Sequence, residues 1–147
     1  MVESVDHWWA VRRRGLAGCL WRRREWETGL VQAKLIAFGA VEIEGARYAY
    51  DVVIDAGRIR RRRKGPSKAL REQYGHTPLS VVEDIPWGGG KLIVGTGAEG
   101  GLPIAPEVYA EAARRGIAIV VLPTGDACRL LTKLKPADVY AVLHVTC

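Results

Sequence analysis

Gly95-Thr96-Gly97-Ala98-Glu99-Gly100 satisfies the spacing G-x-G-x-x-G directly after an apolar run. In dinucleotide-binding folds such glycines let a pyrophosphate approach backbone amides at a helix start. Two neighbouring features run against that ligand. The next helix is signalled only at Pro106, too far for its first amides to share the anion, and the following strand ends in Leu122-Pro123 with no acid for a ribose hydroxyl. The spacing therefore predicts a tight backbone turn, with a small anion nest as its chemical use. A second group is the basic run Arg58, Arg60, Arg61, Arg62, Arg63, Lys64, Lys68 and Arg71. On charge alone it supports weak nucleic-acid binding through Arg58 to Lys64. Non-specific nucleic-acid binders usually pair such charge with stacking aromatics, and here only Tyr74 is near, so a solvated strand end and loop is the preferred reading.

His76, between Gly75 and Thr77-Pro78, is of the type that serves as a general base, although a loop histidine more often bonds to backbone. His144 and Cys147 are three apart on a strand and start on opposite faces, so the spacing makes neither a metal pair nor a thiol–histidine dyad. The three histidines show no H-x-H or H-x-x-x-H spacing, and no metal site is predicted. The chain also lacks the nucleophile elbow, the P-loop and the kinase signatures. No catalytic residue is assigned, no cofactor is expected, and the reading leans away from an enzyme.

The elements that must position these residues form a meander followed by alternating strands and helices. Short β-rich runs at Ile36 to Ile43, Arg47 to Ile54 and Arg58 to Arg63 are separated by the turn signals Glu44-Gly45 and Asp55-Ala56-Gly57, and predict three antiparallel strands. Lys64 to Pro78 predicts a surface loop with one turn of helix. Ser80-Val81-Val82-Glu83 has the form of a capping box and predicts a short helix limited by Pro86. Lys91 to Val94 reads as a buried strand. Pro106, Glu107 and Gly116 bracket a helix, and Ile117 to Leu122, apolar throughout, predicts a parallel strand covered on both faces. Thr124 is expected to cap a helix with Ala127, Leu130, Leu131 and Leu134 on its apolar side, stopped by Pro136. Val139 to Val145 is the last strand. The expected fold is therefore α/β, a three-layer single domain with an antiparallel hairpin or meander followed by βαβαβ and a parallel sheet portion.

The chain has 147 residues, 48% of them hydrophobic and 26% charged, which fits one domain able to bury a core. Residues 1–34 carry seven basic and four acidic side chains, the rest fifteen and twelve, so each part contributes +3 and the short leader is far more basic per residue. That leader holds four of the five tryptophans and two Arg triplets without a sustained period. It is expected to be poorly ordered, with a misassigned gene start near Val31 preferred over a membrane-surface or nucleic-acid arm. The domain is then residues 35–147. Cys19, Cys128 and Cys147 form an odd set without C-x-x-C spacing, as expected of free thiols in the cytoplasm. No apolar run is long enough to cross a membrane.

Four blocks, Gly75 to Ser80, Gly95 to Gly100, Leu122 to Ala127 and Leu143 to Cys147, together with Asp51-Val52-Val53-Ile54, resemble a small single-domain family of largely unknown function. It includes the animal adipogenesis-associated domain-containing protein, the mitochondrial assembly factor three of respiratory complex I, and many bacterial and archaeal members. The resemblance covers residues 35–147 and implies a compact α/β domain with no established reaction or cofactor. It favours a non-catalytic binding or assembly module whose partner is another protein.

If the strands ending near Val94, Leu122 and Val145 are parallel, their carboxyl ends bring Gly95, Thr96, Gly97, Pro123, Thr124, Thr146 and Cys147 to one place, where open α/β sheets bind ligands. An anionic small molecule there, bound or turned over, is the alternative function, with Arg62 and His76 as accessory residues. A tight closure of the sheet accounts for the same convergence.

Overall fold

The computed structural model describes residues 29–147. Its first part is a three-stranded antiparallel sheet of β1 (Ala33–Ala37), β2 (Ala40–Ile43) and β3 (Ala46–Tyr48). A second sheet follows, of β4 (Val52–Asp55), β5 (Arg58–Arg61), β6 (Lys91–Thr96), β7 (Ala118–Leu122) and β8 (Tyr140–His144), in the order β5-β4-β8-β6-β7. β6 runs parallel to both β7 and β8, while β4 pairs antiparallel with β5 and β8. The helices are α1 (Arg71–Tyr74), α2 (Pro106–Arg115) and α3 (Thr124–Leu131). The α/β expectation is met, with a meander ahead of a βαβαβ unit.

Side-chain alternation along the second sheet separates two cores. Val52, Ile54, Ile93, Ala141 and Leu143 face the first sheet and α3, where Val41, Ile43, Ala127 and Leu131 complete one cluster. Val53, Leu92, Val94 and Val142 face the other way and pack with Val108 of α2 and with Leu79, Ile85 and Leu102. The second sheet is thus the middle of three layers.

Several expectations are corrected. The three expected strands are five, in two sheets. The run Ile36 to Ile43 breaks at Gly39, whose φ of 92° turns the chain, and the run Arg47 to Ile54 leaves the first sheet after Tyr48 and enters the second at Val52. No helix forms at Ser80: the segment is a turn, and Glu83 sends its carboxylate to Arg62 instead of back to the serine amide. Ile117 to Leu122 is covered on both faces only in part: Val120 and Leu122 pack against one core and Ile117 and Ile119 against the other, but β7 lies at the edge of the sheet and Val121 is 37% exposed. Of the two leucines expected on the apolar side of α3, Leu131 is fully buried and Leu130 only partly so.

The predicted leader lies almost wholly outside the described residues. Its last part does not: Val31, ahead of the expected domain start at 35, is 1% exposed and its N–H donates to Leu134 O. The turn signals Glu44-Gly45 and Ala56-Gly57 form tight hairpin turns with positive φ at both residues. Among the described residues, no helix is long and apolar enough to cross a membrane.

Candidate functional site

The carboxyl ends of β6 and β8 and the start of α3 meet, and this brings Gly95, Thr96, Gly97, Pro123, Thr124, Thr146 and Cys147 together. Thr124 is buried at the first position of α3, with Pro123 in the capping place. Its hydroxyl does not cap the helix: Oγ1 accepts from the Gly97 N–H (2.8 Å) and donates to His144 O (2.6 Å), tying three segments together. Thr96 Oγ1 donates to Leu122 O, and a Cβ on Gly95 would come within 2.8 Å of Thr124 Oγ1.

The glycine-loop amides already have partners. Ala98 N donates to Thr146 O, Glu99 N and Gly101 N to Cys147 O, and Gly100 N to Gly97 O. Gly97 has φ 110°, and a side chain there would overlap Thr146 O. An anion entering the loop would have to displace these bonds, so the arrangement as it stands closes the sheet.

A buried polar network extends from this closure, and sequence reasoning missed most of it. Asp51, just before β4, accepts from the Val145 N–H at Oδ1 (3.0 Å), and its Oδ2 lies 2.8 Å from His144 Nδ1 and 2.9 Å from Arg62 Nη1. Arg62 forms a fork with Glu83, Nε to Oε1 and Nη2 to Oε2, both 2.8 Å, and Nη2 also donates to Pro78 O. Ser67 donates its hydroxyl hydrogen to Glu83 Oε2 and accepts one from Ser80 Oγ. Burial alone would raise the Asp51 carboxyl. The hydrogen bonds from His144 and Val145, with the pull of His144 and Arg62, outweigh burial and hold it below its ordinary value. Burial likewise opposes the Arg62 charge, and the carboxylates of Glu83 and Asp51 overcome it.

His144 Nε2 lies 3.2 Å from Thr146 Oγ1, so carboxylate, imidazole and hydroxyl follow the hydrogen-bond order of a nucleophilic triad. Acyl transfer also needs donors where an oxyanion would develop. The loop amides that could serve are bonded to the main-chain oxygens of Thr146 and Cys147. The chemistry this arrangement performs as built is orientation: it fixes the end of β8 against β4 and, through Arg62, the 64–83 segment.

Of the accessory residues, Arg62 joins the network, whereas exposed His76 makes none of its hydrogen bonds. Asp51 sits on what reads as a mixed strand face and Arg62 within a run that reads as solvated. The one local signal is a lone acid abutting Val52-Val53-Ile54, too weak to name its partners.

The described surface is concave beside β5. A cavity of about 450 Å³ is lined by Arg60, Arg61, Arg62, Arg63, Lys64, Gly65 and Lys68, and a second of about 320 Å³ by Asp55, Arg58 and Arg60. Arg60 bonds to Asp84 O and lies 3.3 Å from its carboxylate. Arg61, Arg63, Lys64 and Lys68 have no carboxylate within 4.0 Å among the described residues. The Arg61 guanidinium lies 4.8 Å from the centre of the Tyr50 ring, an aromatic neighbour that sequence distance concealed.

Comparison with solved structures gives the conserved hypothetical protein PH1505 from Pyrococcus horikoshii OT3, at 31% identity over 78% of this chain and 98% of that one, with a TM-score of 0.61. The protein MT938 matches at 26% identity over 80% and 99% of the two chains, with a TM-score of 0.56. An outer membrane protein from Bartonella henselae, at 16% identity and a TM-score of 0.53, shares the fold. No protein-family model and no curated protein matches the sequence.

Proposed function

We propose that this chain, which belongs to the family of the conserved hypothetical protein PH1505, is a non-catalytic recognition module that holds an acidic segment of a protein partner against its basic face. The observation that carries this reading is the cavity beside β5. Arg61, Arg63, Lys64 and Lys68 line it with no carboxylate partner among the described residues, on a frame that Arg62 anchors internally. Cations left unpaired around a concavity raise the local concentration of anionic partners and select them by charge. The resemblance to a family that includes a respiratory-complex assembly factor supports partner holding over a reaction. So does the commitment of the glycine-loop amides to internal partners.

The test is fluorescence anisotropy with a labelled Glu-rich peptide, comparing wild type with the double variant Arg61→Glu/Lys64→Glu. Binding should weaken steeply with salt and fall at least about tenfold in the variant. No binding by wild type, or equal binding by the variant, refutes the reading. Tighter binding of a single-stranded oligonucleotide at the same salt would reassign the surface to nucleic acid.

A further inference from the structure

Resting on that reading, we infer how the acidic segment binds: as an added β-strand on the free edge of β5. Among the described residues, β5 is terminal in the sheet and pairs only with β4. The Arg62 N–H donates to Asp51 O, which fixes the phase of the ladder: Arg58, Arg60 and Arg62 turn their main-chain groups toward β4. Ile59 and Arg61 therefore turn their N–H and C=O groups to the open edge, the array that strand addition uses.

Charge then selects the occupant. Side chains alternate across the strand, so Arg58 and Arg60 flank the edge on one face and Arg61 on the other, beside Tyr50. The two cavities share Arg60 and follow β5 along its length. Pairing two copies of β5 would set these arginines against their own images, which like-charge repulsion opposes. An extended segment with carboxylates on both faces meets cations on both faces. About six residues, roughly 20 Å, would span Arg58 to Arg63.

The experiment is amide hydrogen exchange by NMR on the full chain, with and without the Glu-rich peptide. Exchange at Ile59 and Arg61 should slow at least about tenfold on binding, whereas Arg60 and Arg62, already bonded inward, should change little. A peptide N-methylated at consecutive central residues, unable to donate on either edge, should bind at least about tenfold more weakly. Binding without protection of Ile59 and Arg61, or undiminished binding of the methylated peptide, overturns strand addition and leaves the acidic-partner reading standing. Failure of the unmethylated peptide to bind refutes both. The variant pair Arg61→Pro and Arg61→Gln adds a check on the protein side. Both lose the charge, only Pro loses the outward N–H, and Pro is tolerated on an edge strand facing solvent. Equal affinities of the two folded variants would overturn the inference.

Discussion

Replacing Arg62 with Met tests the buried network directly. Met keeps an apolar stem of similar reach, so the loss is chiefly the guanidinium and not volume. Four hydrogen bonds go: two to Glu83, one to Asp51 and one to Pro78 O. Glu83 keeps its bond from Ser67, and Asp51 keeps those to His144 and Val145. Both carboxylates stay buried without their cation. Breaking a buried ion pair from one side costs about 3–5 kcal/mol, a large part of the roughly 5–15 kcal/mol that holds a domain folded. The pH dependence follows with its sign. Asp51 titrates below its ordinary value in the folded state, so it adds stability that is present above that ordinary value and lost as pH falls through the folded one. Without Arg62 one cause of that depression is gone, the folded carboxyl moves up, and protonation relieves the unpaired charge. Urea titrations followed by circular dichroism should therefore show a larger penalty for Arg62→Met at pH 7 than at pH 4. The triple variant Arg62→Met/Asp51→Asn/Glu83→Gln should recover part of the loss. A penalty under about 1 kcal/mol, or one independent of pH, would refute the network's energetic role.

Leu131→Ala should cost about 2–5 kcal/mol in the same titration, whereas exposed Lys133→Ala should cost under about 0.5. A chain begun at Leu30 should melt about 3–10 °C above one begun at Lys34, because the shorter one lacks buried Val31 and its bond to Leu134 O. Equal melting temperatures would show that Val31 contributes nothing. The Cys128 thiol, pushed up to about 11 by burial, should react with iodoacetamide at pH 8 at least about 100-fold more slowly than half-buried Cys147, as read by peptide mapping. Gly97→Ala should destabilise by about 2–4 kcal/mol, since alanine there is strained at φ 110° and overlaps Thr146 O; a neutral result would mean that the closure yields easily.

The βαβαβ half was legible because its signals are local. Pro106 and Gly116 bracket α2, and the apolar runs at 91–96, 118–122 and 140–144 are too short for anything but strands. Position in the sheet was not legible. Ile117 to Leu122 carries the apolar pattern of a central strand and forms an edge, because strand order depends on partners far away in sequence. The Ser80 capping box and the Thr124 cap failed for a related reason: Glu83 and the Thr124 hydroxyl are taken by Arg62, Gly97 and His144. Long-range partners outbid a local rule that is worth about 1 kcal/mol. At the candidate site, the meeting of the three carboxyl ends could be foreseen from the parallel-strand rule. The use of their amides could not, since the acceptors for Ala98, Glu99 and Gly101 belong to residues nearly fifty positions on.

The five sequence blocks that carry the family resemblance find a common explanation in this network. Asp51 opens the first; Pro78 O and Ser80 lie in the second; Gly97, Thr124 and His144 come from the others. They share one hydrogen-bonded assembly that locks β8, β4 and the 64–83 segment together, so the resemblance follows a scaffold more closely than a pocket. Arg62 shows how that scaffold and the basic face are divided. Within Arg60-Arg61-Arg62-Arg63, alternation along the chain sends Arg62 inward to two carboxylates and a carbonyl, while Arg61 and Arg63 remain outside with no carboxylate partner among the described residues. The inward arginine fixes the backbone from which the outward ones project. A contact surface made of long, flexible side chains loses less entropy on binding when its backbone is already held. On the proposed function, the internal ion pairs and the external cations act as one device, and a charge run that reads as uniform in sequence is divided by the strand into a buried anchor and an exposed basic face.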